Sequence, residues 1–179
     1  MADVDRRALL LVGAGMAAAC ATSEVEQAPV TTAQEVERLV QDLEAGAVAW
    51  VNGALEETAA ALYAQADDMV IAGPFGGEPL VGRAAWGGAQ AAAVRQFAGG
   101  ESKLEIVDWF AAGDLLVLVL IERGQVTFAG RSEPQPWVLR STQVFRRADG
   151  GRWLRVHRHA DPLIDRRPLE ATAALARGA

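Results

Sequence analysis

The sequence has very little cysteine, histidine or lysine. Its 179 residues include one cysteine, Cys20, and two histidines, His157 and His159. A single cysteine excludes an intrachain disulfide and a cysteine zinc cluster. No third ligand can be read beside the two histidines, so we predict no metal and no other cofactor. Lysine occurs once, at Lys103, and arginine therefore supplies nearly all of the positive charge.

An excess of basic charge is also absent. The 23 acidic residues outnumber the 17 basic ones, giving a formal net charge of −6 and a pI of about 5.0. The chain has no excess of positive charge that could attract nucleic acid, so we predict no nucleic-acid partner. Apolar residues make up 51% and charged residues 22% of the chain, which argues against a disordered protein. The length fits one domain.

The N-terminus lacks an apolar run long enough to span a bilayer, but it has the layout of an export signal. Arg6 and Arg7 precede an apolar run over residues 8–19, whereas a spanning helix needs about 20 residues. The two arginines followed by leucines resemble the twin-arginine signal. The alternative is a helix packed on the domain. It is disfavoured because Gly13 and Gly15 would each cost about 1 kcal/mol there.

Cys20 follows three alanines in a context that resembles a bacterial lipoprotein box. In lipoproteins this cysteine is lipidated and becomes the first mature residue, but small residues also suit ordinary signal cleavage. We therefore predict an export signal over residues 1–20 and a flexible tether over residues 21–34. The expected location is the periplasm of a bacterium, or the membrane if a lipid on Cys20 anchors the protein.

The remaining sequence changes from helical to strand periodicity. Apolar spacing predicts helices over 35–51, 55–64 and 83–97, with Thr32 as a cap ahead of Glu35. A turn-rich loop over 73–82 follows a short apolar run at 69–72. Strands are predicted over 104–111, 115–123, 126–129, 137–146 and 153–160, and a short helix near 169–175. Gly124, between two of these strands, predicts a bulge or a sharp bend.

This order predicts an α+β fold, with helices on one face of a curved antiparallel sheet. Residues 115–121 are apolar at every position, so both faces of that strand should be covered. The helices can cover one face. A second copy of the chain is the predicted cover for the other, which implies a homodimer formed through the sheet.

Three segments carry a resemblance to a known family. They are residues 66–83, with Asp67-Asp68 before the Gly-Pro loop, residues 142–147, and residues 151–162. Residues 35–163 resemble the nuclear transport factor 2-like superfamily, particularly its SnoaL-like and ketosteroid-isomerase-like members. The resemblance implies a cystatin-like cone, in which N-terminal helices pack on a bent antiparallel sheet and enclose a pocket. Residues 164–179 would form a C-terminal tail.

The isomerase chemistry is not carried over with the fold. The resemblance would place that family's catalytic base at about Gly73, which has no side chain. Its acidic oxyanion-hole residue would fall near Thr142, and the nearest match to its tyrosine is Trp50. Without a carboxylate at the position of the base, the isomerase mechanism is not expected.

Alignment with the isomerase strands favours one face of the last strand, with Leu154, Val156, Arg158 and Ala160 pointing inward. Arg140 and Thr142 of the preceding strand would join this pocket lining, together with Trp50, Tyr63 and Trp86 from the helices. Two inward guanidinium groups would suit a carboxylate or another anion, so the expected ligand is an apolar or anionic small molecule. The favoured alternative is that Arg140 and Arg158 form structural ion pairs with Glu122, Glu105 or Asp108.

His157 and His159 lie two residues apart and share a strand face with Asp161. His159 and Asp161 are therefore the candidates for acid–base catalysis, with Asp161 orienting the histidine. The alternative places these side chains on the outer face of the sheet, where they would hydrogen-bond across a dimer interface.

Three functions remain open at this point. The preferred one is an exported SnoaL-like domain with a small-molecule pocket and no assigned reaction. The first alternative is a small-molecule isomerase, hydrolase or dehydratase that uses polar residues of the last two strands. The second is a dimerising scaffold with a vestigial pocket.

Overall fold

The computed structural model describes residues 30–55 and 68–176. The predicted export signal, Cys20, Tyr63, most of the tether and most of the helix predicted over 55–64 lie outside these residues. In chain order the elements are α1 (Ala33–Val51), β1 (Val70–Ala72), β2 (Leu80–Val81), α2 (Arg83–Val94), β3 (Phe97–Ala112), β4 (Leu115–Phe128), β5 (Gln135–Arg147), a 3₁₀ turn (Asp149–Gly151), β6 (Trp153–Pro162) and α3 (Leu169–Leu175).

Helix α1 begins at the cap that the sequence predicts. The Thr32 hydroxyl accepts a hydrogen bond from the Glu35 amide at 3.2 Å, and the Glu35 carboxylate accepts one from the Thr32 amide at 2.9 Å. This reciprocal capping box satisfies two amides that the first turn leaves without helical partners. The hydrogen bond from the Thr32 amide, and then that from Arg147, lowers the pKa of Glu35. The buried face of the helix consists of Val36, Leu39, Val40, Leu43 and Val51.

The six strands form one sheet in the order β2-β1-β6-β5-β4-β3. Each neighbouring pair is antiparallel except β1 and β6, which run parallel. The predicted α+β architecture is confirmed, but the sheet is mixed at one edge rather than wholly antiparallel. The strands β1 and β6 can run parallel because a long stretch of chain, rather than a tight hairpin, connects them.

Two strand predictions are wrong around Gly124. Residues 115–123 and 126–129 belong to one strand, β4, and its pairing continues through Gly124 on both sides without a register shift. The glycine serves a different purpose, because a Cβ there would lie 3.1 Å from the Glu101 carbonyl oxygen and 3.2 Å from that of Trp137. Gly124 thus allows the neighbouring backbones to approach closely.

The observed bulges lie elsewhere. Strand β3 starts at Phe97, which the sequence assigned to the preceding helix, and its pairing with β4 shifts between Phe97 and Gly99 and again between Ile106 and Asp108. The pairing register of β5 with β6 also shifts at one point. Val144 pairs with His157, and the next residue of β5 pairs with Arg155. Val156 is therefore the extra residue of a bulge in β6.

The apolar core consists of two clusters. The larger joins α1, α2 and the middle of the sheet, and includes Leu43, Ile71, Trp86 and Leu118. The smaller contains Val51, Phe97 and Val126, with Trp50, Phe128 and Trp137 packed against it. The inward side chains of β4 alternate regularly, since Leu116, Leu118 and Leu120 are all fully buried.

The C-terminal tail contains the predicted short helix, observed as α3 over Leu169–Leu175. It is a surface element, because Leu169 and Leu175 are both exposed. Within the part of the chain that the structure describes, no helix combines the length and the apolar character needed to cross a membrane.

Candidate functional site

A cavity of about 380 Å³ lies between the helices and the inner face of the sheet. The larger apolar cluster contributes Leu43, Ile71 and Trp86 to its wall, and the smaller contributes Val51 and Val126. Both clusters of the core thus border the cavity. Its volume falls within the range of roughly 300–1,000 Å³ that is usual for small-molecule sites.

Trp50, Phe75 and Trp137 line one side of the cavity, and the rings of Phe97 and Phe128 pack against them without lining it. We call this group of five rings the aromatic wall. The Trp50 and Phe97 rings lie 4.9 Å apart between centroids, and the Trp137 ring lies 5.9 Å from that of Phe97. Phe128 contacts both Phe97 and Trp137, at 5.4 and 5.7 Å. Phe75, in the loop after β1, lies 5.8 Å from Trp137 and is half exposed. These separations suit tilted and edge-to-face packing of aromatic rings.

Charged and amide side chains converge on the cavity from three adjacent strands, and we call them the polar group. The Arg158 guanidinium donates to both oxygens of Glu122, at 2.7 Å from Nη2 and 3.3 Å from Nε. Gln143 Nε2 donates to Glu122 at 3.2 Å and to the Ser141 hydroxyl at 3.3 Å. Glu122, Gln143, Arg155 and Arg158 all line the cavity.

The bulge at Val156 places two arginines on the same face of β6. Arg155 pairs with Phe145 and Arg158 with Gln143, and both partners point inward from β5. In a regular strand, residues three positions apart would point to opposite faces. The extra residue Val156 offsets this alternation, so both guanidinium groups face the cavity.

Glu122 is ionised within this group. Burial by itself would raise its pKa, but the charge and hydrogen bonds of Arg158, a hydrogen bond from Ser141 and the charge of Arg155 together hold the pKa below its ordinary value. Glu122 is therefore a carboxylate committed to an ion pair. It is not a protonated acid available to a reaction.

Oε1 of Gln143 and Nε1 of Trp50 are buried polar atoms of cavity-lining residues that have no hydrogen-bond partner among the described residues. Gln143 is only 2% exposed, and its Nε2 is oriented by Glu122. Oε1 is therefore an acceptor that a donor group of a bound molecule could satisfy.

Only some of the predicted pocket residues line the cavity. Trp50, Trp86 and Arg158 line the cavity, whereas Arg140, Thr142 and Val156 do not. Arg140 and Thr142 were placed on the wrong face of β5, since its odd-numbered residues point inward and these two are exposed. Val156 is buried but occupies the bulge position.

The predicted ion pairing of the arginines is confirmed for Arg158, whose partner is Glu122. Arg140 pairs instead with Asp161, through bonds of 2.8 and 2.7 Å. This pair lies on the outer face of the sheet, with side chains that are 63% and 40% exposed. The other two predicted partners do not bind either arginine: Glu105 pairs with Arg123, and Asp108 accepts a hydrogen bond from the Trp109 amide.

The candidates for acid–base catalysis also lie on the outer face. His159 is exposed and pairs in register with Thr142, and Asp161 is held by Arg140. The hydrogen bond from Arg140 lowers the pKa of Asp161. His157 Nδ1 lies 2.8 Å from the carbonyl oxygen of Val70, at the β1–β6 junction. These positions are those of the alternative prediction, in which the side chains face away from the pocket.

The positions matched to the isomerase remain without suitable acids. Gly73 lines the cavity but has no side chain. Thr142 points outward, and its inward neighbours Ser141 and Gln143 are not carboxylic acids. Over the ranges 30–55 and 68–176, no cluster of three or more His, Cys, Asp or Glu residues could hold a metal.

Glu122 and Gln143 were not predicted as pocket residues, although the sequence contained a signal for them. Leu116, Leu118 and Leu120 share one face of β4, and Glu122 follows them at the same spacing of two. A charged residue that continues a buried face is a candidate site residue. Arg155 carried no such signal, because the bulge that turns it inward depends on pairing with β5.

Comparisons with known proteins agree with this architecture. A protein from Streptomyces avermitilis, provisionally assigned as a dehydratase of the NTF2-like family, shares 18% identity over 74% of this chain and 97% of its own, with a TM-score of 0.61. A provisional scytalone dehydratase from Novosphingobium aromaticivorans shares 14% over 73% and 83%, with a TM-score of 0.60. At such identities the likeness shows the fold alone.

A third structure, a domain of unknown function with a cystatin-like fold from Nostoc punctiforme, shares 18% identity over 82% of this chain and 86% of its own, with a TM-score of 0.58. The cystatin-like α+β cone predicted from the sequence is confirmed. No curated protein matches the chain. The family model of the SnoaL-like domain matches residues 36–156. Because this match covers more than half of the sequence and the fold agrees with it, the chain belongs to the SnoaL-like domain family.

Proposed function

We propose that this domain binds a small organic molecule in the cavity between the helices and the sheet. The observation that carries the proposal is the composition of the cavity wall, which combines the aromatic wall with the polar group of Glu122, Gln143, Arg155 and Arg158. Small-molecule sites typically have a mostly apolar lining with a few polar groups that fix orientation. A solidly packed cone would favour the scaffold alternative instead.

No reaction is assigned to this cavity. Isomerisation or dehydration requires a base to take a proton and an acid to return one. Among the described cavity residues, the carboxylates are Glu122, which is ion-paired, and Glu78, which is exposed in the loop before β2. His159 and Asp161 lie on the other side of the sheet. Binding is therefore supported better than the enzymatic alternatives, including the dehydratase chemistry suggested by the two structural neighbours.

Blocking the cavity tests the proposal. Ala47 lines the cavity on α1, whereas Ala45 is exposed on the opposite side of the same helix. We expect Ala47→Phe to abolish the binding of aromatic ring compounds and Ala45→Phe to leave it unchanged. Binding is measured by titration calorimetry and by the rise in the thermal unfolding midpoint, which a ligand specific for the folded state must cause.

The panel consists of benzoate, 2-naphthoate and biphenyl-4-carboxylate, each with its neutral amide. Binding of at least one compound that Ala47→Phe removes would support the proposal. If no compound binds the unsubstituted protein, or if both variants bind equally well, the cavity is not the ligand site. The scaffold alternative would then be preferred.

We propose further that the chain is exported. The support is the arrangement of Arg6, Arg7, the apolar run over 8–19 and Cys20 in the sequence. Cell fractionation tests it: Arg6→Lys with Arg7→Lys should retain the protein in the cytoplasm. Cys20→Ala should release it from the membrane fraction if the cysteine is lipidated. Retention of the unsubstituted protein in the cytoplasm would contradict export.

The homodimer through the sheet is also a proposal. Its support is the outer sheet face, where Val117, Val119 and Ile121 of β4 are only half covered by their neighbours. Phe110 on β3 and Leu115 on β4 are 58% and 48% exposed. An apolar strip of this kind favours association with another surface.

A further inference from the structure

We infer that Gln143 selects the ligand of this cavity by accepting a hydrogen bond, at Oε1, from a hydroxyl or N–H group carried by a flat aromatic molecule. This role rests on the proposed function, and it names a specificity-determining residue and a ligand class for the same cavity. It assigns no charge to the ligand. Three features of the described residues support it: the burial of Gln143, the hydrogen bonds that orient its side chain, and the rings that line the cavity.

Gln143 is the buried amide of the cavity lining. It lies on the inner face of β5 and is only 2% exposed. The two other glutamines of the described lining are more accessible, since Gln90 on α2 is half-buried and Gln96 after α2 is exposed. Accessible amides can exchange hydrogen bonds with solvent, whereas a buried amide needs a partner close by. The hydrogen bonds of Gln143 therefore depend on what occupies the cavity.

The Arg158–Glu122 ion pair fixes which end of the Gln143 amide is left over. Because Arg158 holds Glu122 as a carboxylate, Glu122 can only accept hydrogen bonds. The donor Nε2 of Gln143 must therefore face it. Nε2 donates to Glu122 at 3.2 Å and to the Ser141 hydroxyl at 3.3 Å, so both of its hydrogens have acceptors. The opposite atom, Oε1, is a buried acceptor with no hydrogen-bond partner among the described residues.

Glu122 itself has little capacity left to accept from a ligand. Its carboxylate accepts two hydrogen bonds from Arg158 and one from Gln143, and a further one comes from Ser141. A carboxylate has about four lone-pair sites. A donor group that enters the cavity beside these residues thus finds an open acceptor at Gln143 rather than at Glu122.

A ligand that expels water from the cavity must supply a donor to Oε1. Water can satisfy a buried acceptor in an unliganded cavity, and an apolar molecule in its place would leave the acceptor without a hydrogen bond. Leaving a buried acceptor unpaired is costly. A ligand with a hydroxyl or N–H group is therefore favoured over a molecule of the same shape that lacks one.

The rest of the lining favours a flat aromatic body. Trp50, Phe75 and Trp137 line one side of the cavity, and Phe75 and Trp137 already pack against each other with centroids 5.8 Å apart. Aromatic rings attract one another at centroid separations of about 4.5–7 Å, in offset or edge-to-face arrangements. A planar ring system can make the same contacts with these side chains.

Indole and indene test the inference, because both are flat bicyclic molecules of nearly the same shape and only indole carries an N–H donor. The ratio of their affinities is compared between protein variants, so that the different hydration of the two free compounds cancels. Gln143→Met removes the acceptor and keeps the length of the side chain. It should lower the ratio of indole to indene affinity about ten- to hundredfold. Affinities are measured by titration calorimetry.

Gln90→Met is the matched control, because it removes an amide from a half-buried position of the same lining. It should leave the affinity ratio unchanged.

Glu122→Gln keeps Gln143 and provides a second test if Gln143→Met fails to fold. Since Arg158 only donates, the new amide at position 122 must turn its oxygen to Arg158 and its nitrogen to Gln143. Oε1 of Gln143 is then occupied, so the ratio should fall in this variant too. A merely structural loss would weaken the binding of both compounds and leave their ratio unchanged.

The two proposals fail in different ways. An unchanged ratio in Gln143→Met, or in Glu122→Gln where Gln143→Met does not fold, would show that Gln143 does not select the ligand. An equal fall in Gln90→Met would show the same, and in either case the cavity remains a ligand site if Ala47→Phe abolishes binding. If neither indole nor indene binds although a compound of the carboxylate and amide panel does, selection of a donor on a flat ring is likewise wrong. If none of these compounds binds, the proposed function itself is wrong.

Discussion

The two faces of the sheet each carry an ion pair between an arginine and a carboxylate, and the pairs differ in almost everything except distance. Arg158 and Glu122 approach to 2.7 Å on the inner face, and Arg140 and Asp161 to 2.7 Å on the outer face. The inner side chains are 15% and 13% exposed, the outer ones 63% and 40%. Water screens the outer pair, whereas removing one inner partner leaves a charge in a poorly solvated place. Equal geometry therefore does not mean equal energetic weight.

The same contrast holds for apolar residues of β4. Its even-numbered leucines are fully buried beneath the helices, whereas the intervening valines are only half covered. The inner face belongs to the core of one chain. The outer face carries apolar side chains that stay partly exposed in the single chain.

The largest expected effect is on the inner apolar face. Leu118→Ala should lower the free energy of unfolding by about 3 kcal/mol, because it opens a void in a fully buried site. Val119→Ala, one residue along and on the outer face, should lower it by less than about 1 kcal/mol. Urea denaturation with a constant m-value measures both losses. Equal losses would show that the two faces are buried alike.

The next effect concerns the inner ion pair. Arg158→Ala should lower the free energy of unfolding by about 2 kcal/mol, somewhat less than the loss of one partner in a fully buried pair, because the two side chains keep 15% and 13% of their surface exposed. Arg140→Ala on the outer face should leave the denaturation midpoint nearly unchanged. A larger loss for Arg140→Ala than for Arg158→Ala would reverse the proposed order of the two pairs.

A smaller effect should appear in the dependence of stability on pH. The pKa of Glu122 in the folded protein lies below its ordinary value of 4.5. Its contribution is therefore complete above pH 4.5 and is lost as the pH falls through the lower folded value. Between pH 7 and pH 3, the free energy of unfolding should fall less steeply in Glu122→Gln than in the unsubstituted protein. Asp161→Asn should alter the decline less, since solvent screens its pair with Arg140; the reverse order would contradict this assignment.

The smallest effect on folding is expected at the outer apolar strip. Val119→Glu should change the unfolding free energy little but should convert the proposed dimer into a monomer, because burying an unpaired charge on the outer face in an interface is costly. Sedimentation velocity distinguishes the two states. Ala45→Phe, on the far side of the domain, is the control. A monomeric unsubstituted protein, or a variant that stays dimeric, would exclude dimerisation through this face.

Much of the fold could be predicted because it depends on local patterns. The capping box at Thr32 and Glu35, the helical spacing of α1, the long strands and the tail helix each follow from residues close together in sequence. Gly124 shows the limit of such reasoning. A glycine in a strand predicts either a bulge or a close backbone approach, and the neighbouring strands determine which of the two occurs.

The candidate site was less predictable because it depends on which face of each strand points inward. A shift of one residue reverses that choice. The resemblance to the isomerase strands predicts that Arg140 and Thr142 of β5 point inward, whereas Ser141 and Gln143 do so. In strand β6, no single set of alternating side chains points inward along the whole strand. Its alternation changes at Val156, so Arg155 and Arg158 share the inner face while His159 and Asp161 remain outside.

The sequence by itself determined the α+β class, the order of helices before strands and the absence of a carboxylate at the matched position of the isomerase base. These depend on composition, periodicity and residue identity, which are properties of the chain read in order. Only the tertiary structure decided which arginines face the cavity, which carboxylate pairs with Arg158, and that both clusters of the core border an open space. Those outcomes depend on strand register and on one extra residue in β6, and register is fixed by contacts between residues far apart in the sequence.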